Sequence, residues 1–261
     1  MKIAVCLSGQ PRSIQHAAES ILHFFTSPEY EVDFFCHAWD YNTWKLKEET
    51  TVFFGKYEPV DVAWLESQLV RFNPKKYFIS PYSTIFPKYE YLSWGSLFYS
   101  MAYANMLKLE YETENNFKYD YVVKSRYDVV FDPDRNFVPA HDMLERHLYF
   151  SHAGRMRYRY NYINASDPFF YGDSWGMDII ADSYFCTKAE YLNPHNHRQD
   201  QLLFHDPGTF ISLMARRFNV MIGVDKFNPC DTIFRKEAMN LNCMTQFSEI
   251  QKIHSSYYDN V

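Results

Sequence analysis

The chain has no CxxC pair, no glycine-rich phosphate loop, no excess of basic charge and no long apolar run. Each absence excludes something. The five cysteines (Cys6, Cys36, Cys186, Cys230, Cys243) are odd in number and widely spaced, which argues against a disulfide framework or a zinc knuckle and for a reducing compartment. Formal net charge is −6, the wrong sign for holding nucleic-acid backbones by charge alone, although a local basic patch stays open. No apolar run approaches the roughly 20 residues of a membrane helix, and "MKIAVCLSGQPR" is too short for a signal-peptide core. The expectation is a soluble, cytoplasmic protein, with contact to a membrane surface left open. No internal repeat or low-complexity linker divides the chain, so a single domain is expected over 1–261.

What is present is aromatic and alternating. Hydrophobic residues make up 47%, with 22 Tyr and 23 Phe, enough for a packed core and for flat, partly polar binding surfaces. "KIAVCLS" reads as a buried strand stopped at "SGQP", and "SIQHAAESILHFF" as a helix with Ser13 as N-cap. "EVDFFCHAWD" is a second strand, "VDVAWLESQLVRF" a helix and "KKYFIS" a third strand. A long helix from Trp94 to about Glu114 leads into "YDYVVKSRYDVVF" as a fourth. This alternation predicts an α/β fold, a mostly parallel sheet with helices on both faces. After Pro139 the pattern loosens, and "RMRYRYNYINASDPFFYGDSWG" reads as loops or short strands. "DIIADSYFCTKAEYL" reads as a strand running into a helix, "TFISLMARRF" as a helix and "NVMIGVD" as a strand.

In such sheets ligands sit beyond the carboxyl ends of the strands, here "SGQPR", "HAWD", "SPYS" and "KSRYD". Ser8, Gly9, Gln10, Pro11 and Arg12 offer backbone N–H groups before a helix and a guanidinium suited to phosphate or carboxylate. In "HAWD", Asp40 can accept from a ribose or base; the alternative is a buried His37 and Trp39 with a capping Asp. Read as one strand, "VVKSRYDVV" places Lys124, Arg126 and Asp128 on a single face. Charges are costly to bury unless paired. Either Arg126 and Asp128 form a structural pair, or Asp128 ligates Mg²⁺ or Mn²⁺ while Lys124 and Arg126 meet a diphosphate. Asp132 and Asp134 in "FDPDR" read equally well as solvated loop acids. "RMRYRYNYI" reads as an edge strand or an acceptor contact, His195 and His197 as a surface loop, and His254 as an isolated histidine.

"KIAVCLSGQPR", "VDFFCHAWD" and "YDYVVKSRYDVVF", in that order and spacing, resemble bacterial and viral glycosyltransferases of the GT-A type, including polysaccharide and lipopolysaccharide sugar transferases. The resemblance covers roughly the first half of the chain. It implies a Rossmann-like GT-A domain with a nucleotide-sugar-binding half at 1–138 and an acceptor half at 139–261. It also implies that Ser8 to Arg12 and Asp40 hold the nucleoside, Lys124 and Arg126 the diphosphate, and Asp128 a Mn²⁺ or Mg²⁺ ion. Arg126 stands where the first Asp of the family's Asp-x-Asp is usual, so a guanidinium can instead neutralise part of the leaving group without a metal. Inverting transfer needs a base for the acceptor hydroxyl, for which Asp182 is the first candidate and Asp178 the second. The expected activity is sugar transfer from a nucleotide sugar to a glycan or lipid-linked glycan. The alternatives are a non-catalytic carbohydrate- or partner-binding protein, a nucleotidyltransferase, or a phage-type DNA-base glycosyltransferase, against which the acidic charge counts.

Overall fold

The apolar runs of the first half become strands because they are short, β-branched or aromatic, and bounded by turn residues. The computed structural model describes residues 1–44, 56–85, 95–140, 146–151, 167–191, 207–225 and 232–233. The elements run β1 (Lys2–Gly9), α1 (Ile14–Phe24), β2 (Glu31–Trp39), β3 (Tyr41–Trp44), β4 (Lys56–Pro59), α2 (Val62–Val70), β5 (Lys76–Ser80), α3 (Tyr82–Ile85), α4 (Gly95–Asn115), β6 (Tyr121–Ser125) and β7 (Val129–Val130). They continue with β8 (His147–Ser151), β9 (Phe169–Gly172), α5 (Ser174–Tyr191), α6 (Pro207–Arg217), β10 (Met221–Asp225) and β11 (Thr232–Ile233).

Seven strands form one sheet in the order β10-β8-β9-β6-β1-β2-β5. Its pairings are parallel except for those of β9, which runs antiparallel to both β6 and β8. The protein is therefore α/β with a mostly parallel central sheet, as the alternation predicted. Side chains of β1 divide by parity. Ile3, Val5 and Leu7 pack with Ile14, Ala17, Ala18 and Ile21 of α1 and with Leu65 and Leu69 of α2. Ala4 and Cys6 face the other way, toward Phe98, Met101 and Ala104 of α4 and Met177 and Ile180 of α5. The chain moves outward from β1 through β2 to β5, then returns through α4 to place β6 on the opposite side of β1. The strand order reverses between β1 and β6, and the carboxyl ends of those two strands border the position at which open α/β sheets place their ligand crevice.

The structure differs from the sequence expectations at several points. Residues 121–130 are not one strand: β6 stops at Ser125, a turn carries Tyr127 and Asp128, and β7 is a separate two-residue strand paired with β11. The break has a packing cause, because Tyr127 turns inward, is fully buried, and donates its hydroxyl to the Leu7 carbonyl at 3.2 Å. Residues 178–191 are helical throughout. Asp173 caps that helix, its Oδ1 accepting from Gly176 N–H at 3.2 Å, while buried Met177, Ile180 and Ala181 recur at helical spacing. Ser13 makes no side-chain cap to α1. Among the described residues no helix is long and apolar enough to cross a membrane. The Arg155–Tyr162 alternation, His195, His197, His254, Cys230 and Cys243 lie outside the described residues.

Gly172 ends β9 against β8, where a Cβ would come within 2.6 Å of the His147 carbonyl oxygen and 2.7 Å of Leu148 Cδ2. The carbonyl belongs to a paired strand and has no room to move. Gly172→Ala is expected to destabilise the fold by about 1–3 kcal/mol, the usual cost of overpacking, read as a lower midpoint in urea.

Candidate functional site

The crevice between β1 and β6 is built from two turns. Gly9 leaves β1 at φ +124°, a conformation that side-chain-bearing residues rarely adopt, so the turn needs glycine there. Arg12 follows at φ +25°, and its N–H donates to Asn42 Oδ1 at 2.7 Å. Gln10 joins the turn to the neighbouring strand: its Nε2 donates to the Tyr41 hydroxyl at 3.0 Å, and its Oε1 accepts from Arg12 Nε at 3.0 Å. The Arg12 guanidinium is thereby aimed across the reversal point toward the turn after β6.

There it meets Asp128. Arg126 grips this carboxylate with two parallel bonds, Nε to Oδ1 at 2.8 Å and Nη2 to Oδ2 at 2.6 Å, while Arg12 Nη1 donates to Oδ2 at 3.1 Å. Arg126 Nη1 also lies 3.6 Å from Asp167 Oδ2. The Asp128 side chain is only 2% exposed, against 23% for Arg12 and 16% for Arg126. Burial alone would raise the Asp128 carboxyl; the charges of Arg126 and Arg12 and their hydrogen bonds outweigh it and hold the group below its ordinary value. The result is a buried carboxylate held by two guanidiniums.

A divalent cation does not fit this donor set. Both carboxylate oxygens already accept from guanidiniums, and a metal at Asp128 would sit beside two positive charges. At about 5 Å and an effective dielectric of about 20, a divalent ion and one guanidinium repel by roughly 6–7 kcal/mol. Among the described residues no group of three His, Cys, Asp or Glu side chains is placed to hold a metal ion. In this structure Asp128 is paired with Arg12 and Arg126.

The other predicted residues are distributed unevenly. Gly9, Gln10 and Arg12 reach solvent at the crevice, whereas Ser8 and Pro11 are buried and Ser8 Oγ has no hydrogen-bond partner among the described residues. Lys124 is buried on the α4 side, its Nζ bonded to the Asp167 carbonyl and lying 5.6 Å from the centre of the Phe170 ring. Its charge stays close to Arg126 while its ammonium is spent on the chain before β9. Asp40 accepts from Tyr82 N–H at 2.9 Å and so caps the short helix α3. Trp39 is buried among Tyr41, Tyr82 and Tyr99. These are the packing alternatives for "HAWD".

No protein-family model matches the chain, and no curated protein matches it. What the site does is read from its own residues.

Asp178 and Asp182 are not brought to the crevice. Asp178 Oδ1 accepts from Lys108 Nζ at 2.7 Å and from Asn105 Nδ2 at 3.0 Å, and Lys118 Nζ lies 3.9 Å from its Oδ2. It follows Gly172 by six residues, and Gly172 pairs with Val122 at the start of β6. Asp128 lies beyond the other end of that strand, past Ser125, which is about 10 Å from Val122 by strand rise. Asp182, one turn further along α5, is exposed. Partial desolvation, then the charge of Asp178, raises its carboxyl, and the cation it senses is Lys108 rather than Arg12 or Arg126. The described cysteines Cys6 and Cys36 are free and buried, and burial pushes the Cys6 thiol up to about 12, so neither is a ready nucleophile.

Residues that sequence reading missed include Tyr41 and Asn42, which orient Gln10 and Arg12, and Asp167, which faces Arg126. Only their position just past a strand end, or before one, signalled them.

Beneath the aromatic group, His37 is fully buried, with Nδ1 at 2.6 Å from Ser100 Oγ and Nε2 at 2.8 Å from Ser80 Oγ. Burial lowers its pKa to about 3. A histidine neutral in the fold but ordinary when unfolded contributes stability that is present above about pH 6.5 and lost as pH falls toward the folded value. Between pH 6.5 and pH 5, above the titration of Asp128 and Glu112, unfolding free energy should fall by up to about 1.4 kcal/mol per pH unit. Urea midpoints measured across that window for the native protein and for His37→Gln check this, and a parallel slope in the variant would overturn it.

Proposed function

We propose that the protein is a glycosyltransferase that moves a sugar from a nucleoside-diphosphate sugar to a glycan or lipid-linked glycan acceptor. The observation that carries the reading is the meeting of Arg12 and Arg126 over Asp128 where the strand order reverses, the place where open α/β sheets bind ligands. Fixed positive charge there serves a reaction whose leaving group is a diphosphate. The bond between the anomeric carbon and the phosphate oxygen breaks and the departing diphosphate takes its electron pair. A bond to the acceptor oxygen forms, and the acceptor proton passes to a base or to solvent. Charge that grows on the phosphate oxygens is met by guanidiniums already in position. The resemblance of the three motifs to GT-A transferases supports sugar as the group moved, and the one-glycine turn "SGQPRS" disfavours nucleotidyl transfer.

Purified protein incubated with UDP-, GDP- and dTDP-sugars should release the nucleoside diphosphate from one of them, by slow hydrolysis alone and faster with a glycan acceptor. Chromatography of the nucleotides reads this directly. Absence of both binding and turnover with every donor would remove the proposal.

A further inference from the structure

We infer that this site neutralises the diphosphate without a divalent cation, the Arg12 and Arg126 guanidiniums taking that task and Asp128 acting as a positioning residue that holds them together. The inference rests on the sugar-transfer reading and deepens it, naming what meets the leaving group.

The groups that decide it are few. Among the described residues, Lys124, Arg12 and Arg126 bring three positive charges to the two turns, against the two carboxylates Asp128 and Asp167. Arg12 and Arg126 remain partly exposed, whereas the Asp128 side chain is 2% exposed. The two-bond grip of Arg126 is a geometry that an arginine fork makes with a carboxylate or a phosphate and that lysine cannot reproduce. Arg12 is held from behind by Gln10 Oε1 and by its own N–H on Asn42. Side chains ordered before the ligand arrives lose less freedom on binding it.

The test measures binding of UDP, GDP, CDP and dTDP by calorimetry and thermal shift, once in EDTA and once with Mn²⁺. One diphosphate should bind in EDTA with an affinity within about threefold of its value in Mn²⁺, and it should raise the melting temperature equally in both. Arg126→Lys, which keeps the charge and loses the fork, should weaken that affinity about tenfold in EDTA. Asp128→Asn should weaken the diphosphate by a similar factor and leave the affinity for the corresponding nucleoside unchanged. A merely structural role for Asp128 would disturb both ligands alike. If Asp128→Asn fails to fold, Arg126→Lys carries the test with the same nucleoside control. Binding that appears only with Mn²⁺ overturns this inference and leaves the transferase reading standing, whereas no diphosphate binding under either condition removes both.

Discussion

Arg126→Ala should lower kcat/KM for the nucleotide sugar by roughly 10²–10³-fold, the loss found when one preorganised donor to developing negative charge is removed. The same change should be visible in stability. Asp128 is 1% exposed and, among the described residues, would keep only the single 3.1 Å bond from Arg12. Breaking a buried pair by removing one partner typically costs about 3–5 kcal/mol, because the remaining charge loses its compensation without gaining water. The remaining Arg12 sets that range as an upper bound here. Arg126→Lys separates the two effects: its ammonium still offsets the Asp128 charge and restores much of the stability. It cannot form two parallel bonds, so activity should recover less. Turnover and urea midpoints on the three proteins decide the matter. An Arg126→Ala variant with native turnover would show that the guanidinium does not meet the reacting group.

The second large effect is expected far from the crevice. Lys108 is fully buried between α4 and α5, with Nζ at 2.7 Å from Asp178, 2.9 Å from Ser174 Oγ and 3.2 Å from Glu112. Glu112 is itself 1% exposed and also accepts from Lys118 at 2.8 Å and from Tyr119 N–H at 3.0 Å. Burial works to raise the Glu112 carboxyl, but Lys118, the Tyr119 amide and Lys108 prevail and hold it lowered. Lys108→Met leaves Lys118 as the remaining cation beside Glu112 and Asp178 and should reduce unfolding free energy by at most about 3–5 kcal/mol. Replacing the pair, as Lys108→Met with Glu112→Leu, should recover part of that loss, since an apolar pair can substitute for a buried ion pair. Denaturant midpoints at constant slope measure both variants. Diphosphate affinity should stay unchanged, because the network sits at the amino end of β6. A loss below about 1 kcal/mol for the single variant would mean that water reaches the site.

Legibility followed the length over which each signal repeats. β1, β2, β5, α2, α4, α6 and β10 were readable because their apolar runs or periodic faces are long and end at polar or turn residues. α5 was misread at its start: "DIIADSYF" contains strand-like pairs, whereas burial of Met177, Ile180 and Ala181 on one face was the deciding signal. The charged stretch after β6 was misread more consequentially. Alternation along a strand placed Lys124, Arg126 and Asp128 together, but β6 stops at Ser125, Lys124 bonds the Asp167 carbonyl, and Asp128 is held in the following turn by Arg126 and Arg12.

By itself the sequence determined the layered α/β architecture and the rim on which a ligand is expected, because hydrophobic period and turn residues act over a few neighbouring positions. Only the tertiary structure decided the partners of the charges. Arg12 and Asp128 are 116 residues apart, and Lys108 and Asp178 are 70 apart. Whether a carboxylate is open to a cation or closed by guanidiniums depends on side chains that meet only after the sheet has formed.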